Sequence, residues 1–75
     1  MAVELLTRKE VAARLCVNPV TVVRWAIAGK IGYIRTPGGH RRFFAAEVTA
    51  IMRGEPLTQA QVRELRLQAE AGEQS

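Results

Sequence analysis

Apolar residues recur at helical spacing in four stretches of this chain, and polar capping signals open three of them. Thr7-Arg8-Lys9-Glu10 has the spacing of a capping box, in which the Thr7 side chain takes the Glu10 amide and Glu10 reaches back to the Thr7 amide. The helix this predicts, about Arg8–Leu15, puts Val11, Ala12 and Leu15 on one face. Cys16-Val17-Asn18 then leads to a second helix over about Pro19–Ala28. Asn18 is a preferred N-cap, and Pro19 falls at the first helical position, where its missing N–H costs nothing. Gly29 tolerates the left-handed position that closes a helix. Val22, Trp25 and Ala26 are expected to face the core with Val11 and Leu15, leaving Val20, Thr21, Val23, Arg24 and Ile27 to other faces. Two helices joined by about three residues match a helix-turn-helix.

The period then changes. Lys30–Arg35 alternates Ile31, Tyr33 and Arg35 against Gly32 and Ile34, and Arg41–Phe44 is basic, then aromatic. Between them Thr36-Pro37-Gly38-Gly39-His40 reads as a turn, with Pro37 fixing φ and both glycines supplying positive φ. This predicts a two-stranded hairpin with a tight tip, a wing. Arg41 and Arg42 are strand neighbours and point to opposite sides, so one can brace the fold while the other binds. A third helix, about Ala46–Arg53, carries Val48, Ile51 and Met52 over Phe43 or Phe44 and ends at Gly54. Glu55-Pro56-Leu57 breaks the chain before a second capping box, Thr58-Gln59-Ala60-Gln61, and a last helix of about Gln59–Ala71. Its stripe of Val62, Leu65 and Ala69 is too short for a coiled coil, so it is expected to dock on the body, with Gly72–Ser75 frayed. The predicted fold is mainly α: a winged helix-turn-helix of three helices and a two-stranded β-hairpin, followed by a short C-terminal helix. Residues 1–54 are read as the binding domain, and 55–75 as linker and helix.

Composition narrows the chemistry. At 75 residues there is room for one small domain with a thin core, and too little volume for a buried catalytic pocket and its scaffold. The chain has no aspartate, one histidine (His40), one cysteine (Cys16) and one serine (Ser75), so no nucleophile–base–orienter triad can be assembled. One His and one Cys cannot complete a four-ligand zinc site. The seven glutamates all read as exposed helix positions. No enzyme activity, cofactor or metal is expected. Cys16 reads as a small buried hydrophobe in a reducing compartment. No apolar run approaches a membrane span, and Glu4 stands where a signal peptide would be basic, so a cytoplasmic protein is expected.

Charge supplies the partner. The net +4 is uneven: residues 1–54 hold nine Lys/Arg against three acids, a net of +6, whereas residues 55–75 hold two against four, a net of −2. A basic body with an acidic tail points to a polyanion. Residues 18–43 can form a two-pronged grip on duplex DNA. The second helix enters a major groove, Thr21 and Arg24 reach base edges, and Val20 and Val23 touch thymine methyls. The hairpin carries Arg35, His40, Arg41 and Arg42 to a flanking groove, while Gly38 and Gly39 let its backbone approach a sugar-phosphate edge. Trp25 is read as core and Tyr33 as strand packing; Arg14, Arg53, Arg63 and Arg66 are read as solvated.

Thr21-Val22-Val23-Arg24-Trp25, then Ala28-Gly29-Lys30, then Arg35-Thr36-Pro37-Gly38-Gly39-His40-Arg41-Arg42-Phe43 resembles the MerR-type winged helix-turn-helix over about residues 5–53. It looks most like the small single-domain branch that includes BldC-type regulators of actinobacteria and phage excisionases, and it is also similar to the N-terminal reader of some serine-recombinase transposases. The resemblance implies a transcription regulator that binds double-stranded DNA. Thr21 and Arg24 would be recognition-helix contacts, Lys30 would follow at the helix end, Arg35, His40, Arg41 and Arg42 would be wing contacts, and Thr7 and Arg8 would hold phosphate. Val20, Val23 and Ile27 depart from the polar or basic side chains frequent in relatives, so base preference does not carry over. The long dimerisation helix and metal-binding effector domain of full-length MerR regulators are missing, so no small-molecule effector is implied. Side-by-side self-association on repeated sites is expected. Two rival readings remain: an excisionase-like factor that bends recombination sites, and a protein–protein adaptor using Val20, Val23 and Ile27.

Overall fold

The computed structural model describes residues 3–73, with the side chains of residues 3–71. Each expected cap forms. The Glu10 amide donates to Thr7 Oγ1 at 3.2 Å and the Thr7 amide to Glu10 Oε1 at 3.0 Å, opening α1 (Arg8–Leu15). The Val20 amide donates to Asn18 Oδ1 at 2.9 Å, opening α2 (Pro19–Ile27). Gly29, at φ +77°, closes α2 with a 6→1 bond from the Lys30 amide to the Trp25 carbonyl, 2.8 Å, and a 5→2 bond from its own amide to Ala26. Gly54, at φ +75°, does the same for the third helix. The Thr58/Gln61 box opens the last one.

The sheet differs from the expected hairpin. It has three antiparallel strands, because Leu5–Leu6 (β1) pairs with Arg41–Phe44 (β3) on the edge opposite Tyr33–Arg35 (β2). Leu5 is opposite Phe44, and Leu6 and Tyr33 are both opposite Phe43. Two residues are too few to show an alternation, so nothing in the sequence marked β1. The chain passes from β3 directly into α3 (Ala45–Met52), one residue earlier than expected and without a side-chain cap.

Both faces of this small sheet are covered, which explains why its apolar pattern is not a clean alternation. Phe43 lies on one face, buried with Leu6, Val11, Val22, Ala26, Ile31 and Val48; Leu15, Trp25 and Tyr33 pack at the edge of that cluster. Ile34 and Phe44 lie on the other face, where Val62, Leu65 and Ala69 of α4 (Gln59–Glu73) cover them. The last helix therefore docks on the body, as its stripe implied, and runs through Gly72 and Glu73; Gln74 and Ser75 lie outside the described residues. Met52, expected in the core, is 58% exposed.

Two further expectations are corrected. Cys16 is exposed, holding a left-handed φ of +57° at the end of α1 while Val17 bonds back to the Ala12 carbonyl. The cap leaves α1 at a position that no longer faces the core. Glu47 is buried, 6% exposed, and its Oε1 accepts the Gly32 amide at 2.9 Å. That bond ties α3 to the segment entering β2, and burial pushes the Glu47 carboxyl above its ordinary value of 4.5, against the Gly32 bond and the Arg66 charge. A raised folded-state pKa contributes stability that is fully present below the unfolded value and lost as pH rises through the folded one. Glu47→Gln keeps an acceptor without the buried charge. It is expected to match the parent's melting temperature below about pH 4 and exceed it increasingly as pH rises. A parent that gains stability over the variant on raising the pH refutes the assignment.

Gly32 itself is a close-approach position. A Cβ there would stand 2.6 Å from Val62 Cγ1 and 3.3 Å from Glu47 Oε1. Gly32→Ala must push α4 away, at a cost of about 1 kcal/mol because the helix can shift as a unit. A melting temperature lowered by about 4–8 °C is the expected reading.

Candidate nucleic-acid interface

Helix α2 turns by about 100° per residue, so its outward face follows from its buried one. Val22 and Ala26 are buried, and the direction opposite their midpoint, about 180° away, belongs to Arg24. Val20 and Ile27 flank Arg24 on one side, 55% and 71% exposed, and half-buried Thr21 flanks it on the other. Val23 turns from this surface into a cleft of about 340 Å³ between α2, the start of α1 and the hairpin. Thr7, Arg8 and Lys9 line the cleft from the α1 side, and Gly39, His40, Arg41 and Arg42 from the hairpin side.

The hairpin tip is built by its turn. The Gly39 amide donates to the Thr36 carbonyl at 2.8 Å, and the Thr36 amide to the His40 carbonyl at 2.9 Å. Only Gly39 has positive φ, +82°, so the expectation of two such glycines is corrected: Gly38 occupies an ordinary φ at the third position of a type I turn. A left-handed residue after a type I turn gives the bulged hairpin loop that matches strand twist. A Cβ on Gly38 would come 3.3 Å from His40 Cδ2, whereas one on Gly39 would meet open space. Gly38 thus makes room for the histidine, and Gly39 supplies the backbone angle.

Strand register divides the two arginines as their adjacency implied. Arg41 shares a face with Tyr33 and Phe43, while Arg42 shares the other with Ile34. The Arg41 guanidinium lies 5.3 Å from the Tyr33 ring centroid, and its Nε is buried without a partner. Interaction with Arg41, aided by the charge of Arg35, holds the Tyr33 phenol below its ordinary range. Arg42 donates from Nη1 to the Arg41 carbonyl at 3.0 Å. Across the cleft the capping bonds from Thr7 hold the Glu10 carboxyl below its ordinary range, with Arg14 and Arg42 adding to the effect. Glu10 is thus already engaged by the helix cap, and it is absent from the cleft lining.

Six expected residues therefore meet in one basic cleft: Thr7, Arg8, Gly39, His40, Arg41 and Arg42. Val20, Thr21 and Arg24 share the adjoining α2 surface, and Arg35 is exposed on the edge strand. Lys30 is not brought to this cleft; it lines a separate one beyond the end of α2. Lys9 was missed. Adjacency to Arg8 is no signal, because neighbours on a helix lie about 100° apart; Lys9 joins the cleft because the cleft opens at the N-terminal end of α1.

No helix among the described residues is long and apolar enough to cross a membrane. No curated protein matches the chain. A family model described as a helix-turn-helix domain matches residues 5–56, spanning the elements from β1 to the end of α3. The chain belongs to this helix-turn-helix domain family.

Proposed function

We propose that the chain is a sequence-reading, double-stranded DNA-binding transcription regulator of the MerR-like, BldC-like kind. The N-terminal half of α2 enters the major groove, and the hairpin lies on the backbone or adjoining minor groove. The observation that carries this reading is one continuous surface: the Arg24-centred face of α2 beside a cleft walled by Arg8, Lys9, His40, Arg41 and Arg42. In it Arg24 and Thr21 read base edges, Val20 meets thymine methyls, and Thr7, Arg8, Arg35, Gly38, Gly39, His40, Arg41 and Arg42 serve the phosphates and sugars. Residues 1–54 carry the binding activity, and the 55–75 segment braces it. The reading needs no small-molecule effector, implies a nucleoid location, and accommodates copies side by side on repeated sites.

The test is a fluorescence-anisotropy titration against pooled random duplexes at two salt concentrations, with bound DNA sequenced. Roughly six phosphate contacts predict a log–log salt slope of about −5 and an enriched motif. Absence of binding at low salt refutes the reading and favours the protein–protein adaptor. A second reading, an excisionase-like bending factor, suits a helix-turn-helix domain of this size; phasing-dependent bending of the selected duplex would favour it.

A further inference from the structure

A second cleft, of about 400 Å³, opens where the C-terminal end of α2 and the segment entering β2 face α4. Lys30 contributes from the α2 side, Arg63 and Arg66 from α4. Glu47 is the only acid in its lining, and that carboxylate is occupied by the Gly32 amide. Among the described residues no ion pair within 4.0 Å engages any of the three cations. All three are exposed and carry like charge, so together they form a positive surface that attracts an anion. An arginine pair presents forked N–H donors suited to a phosphate's oxygens, and a lysine adds a point charge.

The position of the cleft selects among phosphates. Helix α2 has nine residues, a length of about 13 Å at about 1.5 Å per residue. With its N-terminal half in a major groove about 8.5 Å deep, its C-terminal end emerges near the groove rim, where the backbone phosphates run. Gly29 and Lys30 lie at that end and line the cleft.

We propose that the Lys30–Arg63–Arg66 cleft is a second phosphate seat, which brings α4 onto the backbone of the same duplex that α2 reads. The inference rests on the proposed function. It makes α4 part of the footprint, although its arginines had read as solvated surface.

The test compares the parent with Arg63→Gln/Arg66→Gln on a duplex selected by the parent, titrated over a range of salt, with circular dichroism and melting to verify the fold. The expected result is a salt slope shallower by about 1 and several-fold weaker binding at moderate salt, with the base preference unchanged. Glu47→Gln, which removes the only negative charge from the lining, is expected to tighten binding. A parent that binds DNA with a slope unchanged in the double variant overturns the seat and leaves the DNA-binding reading standing. Weaker binding by a folded Glu47→Gln also overturns it, because removing a negative charge from a phosphate seat should strengthen it. Shifts of Lys30 and Arg66 resonances with inorganic phosphate, alongside an unchanged DNA slope, assign the cleft to a free anion and overturn the duplex contact. A parent with no DNA affinity refutes the proposed function itself, and this inference with it.

Discussion

Phe43→Ala is expected to remove about 3–5 kcal/mol of stability, a large share of the total this chain can have. Phe43 is fully buried at the middle of the central strand, opposite Leu6 on one neighbour and Tyr33 on the other. It anchors the cluster that joins α1, α2 and α3 to the sheet. Truncating such a ring costs about 3–5 kcal/mol, the lost transfer free energy plus a cavity that the surroundings only partly fill. A chain of 75 residues has about 4–11 kcal/mol of total stability by the per-residue range for globular domains, and a thin core favours the lower end. Phe44→Ala removes a ring of the same size from the smaller cluster under α4. The α4 helix can resettle there, so a smaller loss and a persisting cooperative transition are expected. Urea unfolding followed by Trp25 fluorescence distinguishes the two, because Trp25 packs against the Phe43 cluster and not the Phe44 one. If Phe43→Ala melts cooperatively within about 1 kcal/mol of the parent, the sheet's central strand does not hold the core together.

The local elements were legible because their signals are local. Thr7, Asn18 and Thr58 cap helices with their own side chains, and Gly29 and Gly54 end helices through their own φ angles, so neither needs a tertiary partner to be read. Some misread positions depend on contacts distant in sequence, and others on a local backbone angle that residue type alone does not fix. Leu5 and Leu6 become a strand only because β3 offers a free edge. Glu47 looks like a solvated helix position until Gly32, fifteen residues earlier, brings its amide to it. Cys16 was judged by residue type, and the left-handed cap at the end of α1 turned it outward. Gly38 and Gly39 look alike in sequence and differ because the bond from the Gly39 amide to the Thr36 carbonyl, and that from the Thr36 amide to the His40 carbonyl, fix which one follows the type I turn. The candidate interface followed the same rule. Its α2 face could be read from helical phase, whereas the division of Lys30 from the hairpin arginines required the packing of α4.

Arg24→Ala is expected to weaken binding to the preferred duplex by about 1–3 kcal/mol more than binding to random DNA, a loss of specificity of about 5–150-fold. Arg24 stands on the helix line opposite the buried residues, is exposed, and its side chain makes no hydrogen bond or ion pair among the described residues. Its fork is therefore free for a guanine edge, and its removal leaves the fold almost untouched. Arg41 provides the contrast: it rests on the Tyr33 ring on the hairpin side of the cleft, where the proposed function has it meet a phosphate. Arg41→Ala is accordingly expected to weaken all sequences alike and to flatten the salt slope by about 1. Paired titrations of both variants, on the selected duplex and on random duplex, separate base reading from charge. Equal losses on both duplexes for Arg24→Ala would make Arg24 a backbone contact and shift base reading to Thr21 and the valine-lined flank of α2. A site-selective loss for Arg41→Ala would instead give the hairpin a share of the sequence reading, because a phosphate contact cannot tell one base pair from another.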